Sequence, residues 1–201
     1  MDKLSYALGL SMGQNFKHSG VKELNADDFA AALKAVYSGE KPEFSYEEAQ
    51  KVVNDYFTQL QAEQMRANKE LGKKFLEENA KQDGVKVTPS GLQYKVIKEG
   101  SGMPPKANDK VTVHYTGRLI DGTVFDSSVE RGEPATFAVN QVIPGWVEAL
   151  QMMNEGSEWQ LYIPSELAYG SHGAGQIILP DSTLIFDVKL IKVERESGLI
   201  L

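Results

Sequence analysis

The chain has 201 residues, enough for one large domain or two small ones, and at 41% hydrophobic and 24% charged it has an ordinary globular balance. A net charge of −7 argues against a nucleic-acid or anionic-membrane partner, because phosphate binding rests on clustered Lys and Arg. The absence of cysteine excludes a disulfide framework, thiolate zinc sites and cysteine catalysis.

No run of eighteen apolar residues occurs, so no membrane-spanning helix is expected, and Asp2 to Met12 is too polar for a secretory apolar core. As it stands the chain reads as cytoplasmic, or as periplasmic if a leader has been removed.

Apolar residues recur at three and four up to Asp83-Gly84 and mostly alternate after it. Leu4, Leu8, Met12 and Phe16 form a first helical stripe ending near Ser19-Gly20. Asn25 is an N-cap for a second helix, with Asp27 and Asp28 suiting its positive start. Phe29, Ala32, Leu33, Val36 and Tyr37 form its expected buried face, and Gly39 with Pro42 ends it.

Ser45 and Glu48 make a capping box for a third helix. Its stripe continues through Ala49, Val52, Val53, Tyr56, Phe57 and Leu60, and Gly72 is tolerated at a cost of about 1 kcal/mol. Running from 46 to about 80, it would be a rod of about 50 Å. Gln61 to Gln82 offers only Met65, Leu71, Phe75 and Leu76 among charges, the pattern of a solvated bridge. Such helices make a poor solitary core, and Gly9 and Gly13 would let another helix approach closely. A homodimer through the first three helices is therefore expected, with residues 1–83 as the dimerisation domain and 84–201 as a second domain.

Strand-like alternation follows at Leu92, Tyr94 and Val96, at Val111, Val113 and Tyr115, at Phe137 and Val139, at Trp159, Leu161 and Ile163, and from Leu184 to Leu190. Asp121-Gly122 is a hairpin turn between Arg118–Ile120 and Thr123–Phe125. One short helix fits from Gly145 to Met153, burying Trp146, Ala149, Leu150 and Met153. The sum is an α+β chain: a helical N-terminal region, then an antiparallel sheet on one helix.

Familiar group chemistry is missing from this half. Asp126 with Glu130 or Asp121 reads first as turn and cap residues. His18, His114 and His172 fall on different elements without ligand spacing, so neither a metal nor a cofactor is expected. Ser127 and Ser128 lack a nucleophile elbow, and Gly170 to Gly175 has no following Lys. What remains is a set of rings, Tyr115, Phe125, Phe137, Trp146, Tyr169 and Phe186, several beside turn residues at strand ends, where a sheet opens a pocket.

Residues 92–194 resemble an FKBP-type peptidyl-prolyl cis-trans isomerase domain. The resemblance is carried by Val113-His114-Tyr115-Thr116-Gly117, Asp121-Gly122, Phe125-Asp126-Ser127-Ser128, Val142-Ile143-Pro144-Gly145-Trp146, Ala168-Tyr169-Gly170 and Leu184-Ile185-Phe186-Asp187-Val188. Tyr6-Ala7-Leu8-Gly9 and the helix layout are similar to the dimerising region of the Mip-like bacterial subgroup. The resemblance implies five or six strands wrapped on the Gly145 helix, with a prolyl pocket between them.

Carried across, it assigns Tyr115, Phe125, Asp126, Trp146, Tyr169 and Phe186 as catalytic and Arg131, Phe137, Val142, Ile143, Ile177 and Ile178 as substrate-binding, with Trp146 as floor and Arg131 paired to Asp126. The flap departs from the family pattern with Ala174 in place of a bulkier residue and Leu179 in place of a proline. The implied activity is isomerisation of Xaa-Pro bonds in folding proteins, with chaperone-like holding of clients in the cleft of a V-shaped homodimer, and macrolides are implied as inhibitors. Two alternatives stay open: a module that binds proline segments or macrolides without turnover, and a dimeric adaptor with an incidental pocket.

Overall fold

Side chains that close the first turn set where each N-terminal helix begins. Asp2 accepts the Ser5 amide at 2.8 Å and starts α1 (Lys3–His18), and Asn25 accepts the amides of Asp27 and Asp28 to start α2 (Ala26–Ser38). Ser45 and Glu48 exchange both bonds of the capping box, at 2.8 and 3.1 Å, ahead of α3 (Tyr46–Asn79). The computed structural model describes residues 1–195, so positions 196–201 of the expected second domain lie outside the described residues. The chain divides into two compact units, Met1–Ala62 and Glu63–Leu201.

In the first unit, Phe16 meets Phe29 edge to face with ring centroids 5.6 Å apart. The Tyr56 hydroxyl donates to the Gly20 carbonyl at 3.2 Å, and Leu60 packs on Gly20 so closely that a Cβ there would lie 2.6 Å from it. No residue of α1 or α2 is buried. The expected apolar face of α2 is half-buried only at Phe29, while Ala32, Leu33, Val36 and Tyr37 are exposed, Tyr37 at 89%. The periodicity is real but none of the described residues covers it: two short helices and half a third cannot enclose a core.

The second unit begins with the end of α3, and here the expected solvated bridge is corrected. Gly72 and Asn79 are buried. Asn79 Nδ2 donates to Gln93 Oε1 at 2.9 Å, Gln93 Nε2 donates to the Leu76 carbonyl at 2.8 Å, and Phe75 lies 6.1 Å from the Tyr162 ring. The composition misled because this face docks through amides and a glycine instead of a broad apolar stripe.

Among the described residues seven strands follow instead of five or six: β1 (Val85–Val87), β2 (Gln93–Lys98), β3 (Lys110–Leu119), β4 (Val124–Ser127), β5 (Ala135–Ala138), β6 (Glu158–Ile163) and β7 (Leu184–Glu194). They form one antiparallel sheet in the order β1-β2-β6-β7-β3-β4, with β5 beside β4 along β3. Val139, expected at the end of a strand, instead begins a single 3-10 turn over Val139–Gln141. The β3–β4 hairpin turns at Asp121-Gly122, where Asp121 accepts the Thr123 amide at 2.9 Å and Gly122 takes φ 91°, which a side chain would resist. Helix α4 (Ser128–Arg131) follows β4, and α5 (Pro144–Met152) covers the concave face. Trp146, Ala149, Leu150 and Met153 pack there on Val111, Val113, Leu161, Ile163 and Leu184. Among the described residues no helix is long and apolar enough to cross a membrane.

Candidate functional site

Between α5 and the curl of the sheet lies a cavity of about 460 Å³. Its lining is Tyr115, Phe125, Asp126, Phe137, Gln141, Val142, Ile143, Trp146, Tyr169 and Phe186. All six residues assigned as catalytic therefore border one concavity, together with Phe137, Val142 and Ile143.

Trp146 is its floor, 4% exposed. Tyr115 and Phe186 meet it edge to face, with centroids 5.3 and 5.2 Å away, and Phe137 tilts against it at 5.6 Å. Phe125 in turn meets Phe186 edge to face at 5.5 Å. These are the offset and perpendicular arrangements that ring quadrupoles favour. Gly117 makes the arrangement feasible, since a Cβ on β3 there would lie 2.6 Å from Phe125 and 2.7 Å from Phe186. The Trp146 Nε1 is buried with no hydrogen-bond partner, as fits a pocket floor made of rings.

A hydrogen-bonded polar cluster adjoins these rings. Tyr115 donates its hydroxyl proton to Asp126, and Arg131 binds the other carboxylate oxygen while its Nη2 donates to the Tyr115 oxygen at 3.2 Å. Burial pushes the Asp126 carboxyl up, but the hydrogen bonds from Tyr115 and Arg131, the guanidinium charge and the Ser127 amide outweigh it, so the group sits below its usual 3.8. Burial and the bond to Asp126 raise Tyr115 above 10.0, and Arg131 rises too, through its bonds to Tyr115 and Asp126. The result is a fixed carboxylate beside a neutral phenol.

The two serines hold this arrangement in place. Strand β3 pairs with β5 up to Val113 and with β4 from Thr116, leaving Tyr115 between them. Ser128, wholly buried, fills the gap: its oxygen accepts the Tyr115 amide at 2.8 Å and lies 3.0 Å from His114 Nδ1. Ser127 caps α4 by accepting the Glu130 amide at 3.2 Å. That turn projects Arg131 back over the Tyr115 ring, 5.8 Å from its centroid.

The remaining candidates lie off the lining. Arg131 reaches the site through Asp126 and Tyr115. Ile177 is 45% exposed on the flap, and Ile178 is buried in the core, closing a small hairpin with Ala174. Gln141 borders the cavity and went unnoticed in the sequence, where its only signal is adjacency to Val142-Ile143 at the end of the 3-10 turn.

Residues 102–191 match the family model described as FKBP-type peptidyl-prolyl cis-trans isomerase, and residues 1–96 match the domain amino terminal to FKBP-type peptidyl-prolyl isomerase. The chain is 47% identical over 192 residues to the FKBP-type 22 kDa peptidyl-prolyl cis-trans isomerase of Escherichia coli (strain K12), covering 94% of this chain and 93% of that one. It is 45% identical over 203 residues to the Outer membrane protein MIP of Legionella longbeachae, covering 98% and 87%. The crystal structure of FkpA from Escherichia coli superimposes with a TM-score of 0.78 at 36% identity, covering 96% of this chain and 95% of that one.

Proposed function

The chain belongs to the FKBP-type peptidyl-prolyl cis-trans isomerases, and from that we propose how its pocket works: it speeds rotation about Xaa-Pro bonds by desolvation, with no covalent step. Rotating such a bond meets a barrier of about 18–20 kcal/mol because amide resonance is lost midway. The twisted imide is less polar than the planar one. A water-poor aromatic floor therefore favours the twisted state relative to bulk solvent. The observation that carries this reading is the convergence of Tyr115, Phe125, Phe137 and Phe186 around the Trp146 floor in one cavity.

In this reading Trp146 underlies the proline ring, and Phe125, Phe137, Val142 and Phe186 exclude water from it. The Tyr169 hydroxyl and the Ile143 amide hold the flanking carbonyls. Asp126, kept ionised by Tyr115 and Arg131, biases the carbonyl electrostatically and takes no proton. Uncatalysed isomerisation takes about 10–100 s at 25 °C, slow enough to limit folding, which makes unfolded proteins with proline the natural substrates.

Residues 1–83 are read as the dimerisation domain and 84–201 as the isomerase domain. The uncovered apolar faces of α1 and α2 support a homodimer, whose paired pockets would hold protein clients. The expectation of a cytoplasmic chain finds no support among the relatives. The name of the Legionella longbeachae protein favours the cell envelope instead.

The deciding experiment is a direct isomerisation assay on Xaa-Pro peptides at several Xaa, with sedimentation of the same sample. Turnover by a dimer is the expected result. Peptide or macrolide binding without turnover would reduce the pocket to a binding module.

A further inference from the structure

Below the site, α3 reaches the loop that carries one wall of the pocket. Asn68 Nδ2 donates to the Pro180 carbonyl at 3.1 Å. One turn on, the same helix face has Gly72, where a Cβ would lie 2.3 Å from Thr183 Oγ1. The helix can come this close to Thr183 only because residue 72 has no side chain.

The gripped segment, 180–183, is tied to the pocket by its backbone. The Asp181 amide donates to the Gly170 carbonyl at 2.9 Å, next to Tyr169. Between them the flap closes through Ala174 N to Ile178 O at 2.8 Å and Ile178 N to Ala174 O at 3.2 Å. Asp181 holds φ 57°, a conformation a non-glycine residue keeps only where its surroundings over-determine it. Ser182 braces the turn by donating to the Leu179 carbonyl at 2.6 Å.

We infer that Asn68 and Gly72 are positioning residues for catalysis: α3 clamps 180–183 and thereby sets the Tyr169 wall of the pocket. This rests on the isomerase reading above. A helix that in sequence looks like a connector is thus part of the support of the site.

The test uses the full chain. Asn68→Asp removes the donor at nearly constant volume and faces the Pro180 carbonyl with an acceptor. The amides of Ala174, Ile178 and Asp181 should exchange hydrogen about fivefold faster, the size of one lost hydrogen bond, with the Val113 and Leu190 amides unchanged. KM for a proline tetrapeptide should rise by about the same factor with kcat within about twofold. Asn68→Gln, which keeps the donor, should recover most of both.

Gly72→Ala separates the clamp from helix stability, because alanine strengthens the helix itself while its Cβ pushes Thr183 away. Loosening of the same three amides is expected, and this variant decides the matter should Asn68→Asp fail to fold. Unchanged flap exchange in a folded variant, or a loosened flap with unchanged KM, overturns the inference. If the unmodified chain turned over no proline peptide, the isomerase reading would fall, while the exchange data would still report on the clamp.

Discussion

The Tyr115 hydroxyl donates to the Asp126 carboxylate, and Arg131 touches both partners of that bond. A carboxylate so occupied is a poor proton acceptor and a good fixed charge. Asp126→Ala should therefore keep the fold yet lose most activity, on the order of tenfold in kcat/KM or about 1.4 kcal/mol of barrier. Exchange spectroscopy on a proline peptide, beside a thermal melt, reads both. The pair is partly open to water, so the melt should move little.

The same triad fixes the pH behaviour. Asp126 titrates below 3.8 and Tyr115 above 10.0, so neither changes charge between pH 5 and 9, and neither should make kcat/KM vary across that window. For stability the sign is that of a depressed acid: the contribution of Asp126 is present above 3.8 and is lost as pH falls through its lower folded value. A bell-shaped profile centred near neutrality would instead indicate a proton-transferring residue and contradict the desolvation mechanism.

Gly117 is where the backbone makes room for rings. Gly117→Ala puts a methyl within 2.7 Å of both Phe125 and Phe186, neither of which can swing away without leaving the Trp146 cluster. Overpacking of this kind costs about 1–3 kcal/mol. A lowered melting temperature and a shifted tryptophan emission are expected together, because Phe186 contacts the Trp146 indole and Phe125 packs on Phe186. An unchanged melt would mean that the strand has slack there.

Features whose cause lies within a few residues were legible in the sequence. The Ser45–Glu48 box, the Asn25 cap and the Asp121-Gly122 turn are closed by side chains at the distances their spacing implies. The ring set was legible as a set because strand alternation sends Tyr115 and Phe186 to the same face. What stayed hidden depends on partners far along the chain. Gly72 looked like a tolerated flaw until Thr183 came against it, and Ser128, set aside in the sequence for want of a nucleophile elbow, takes the Tyr115 amide in the gap between β4 and β5. The apolar periodicity of α2 marks a face to be covered but does not name the cover. Ile177 and Ile178 show the limit of the resemblance: assigned to the site together, one is exposed on the flap and the other is in the core, and neither is among the residues that line the cavity.

Docking of α3 changes what truncation should do. A chain cut at Gly84 loses the Asn79–Gln93 amide pair, the Gln93–Leu76 bond and the Phe75–Tyr162 contact, leaving the Gln93 side chain of β2 and the Tyr162 ring of β6 uncovered. Residues 63–201 should therefore melt higher than residues 84–201, by several degrees for a few kcal/mol at this size. Both should sediment as monomers, while the full chain, with the apolar faces of α1 and α2, should sediment as a dimer. On tetrapeptides the dimer and residues 63–201 should match, since one pocket handles one proline. On a proline-limited refolding protein the dimer should be faster. Equal rates on the protein substrate would remove client holding from the function and leave the isomerase alone.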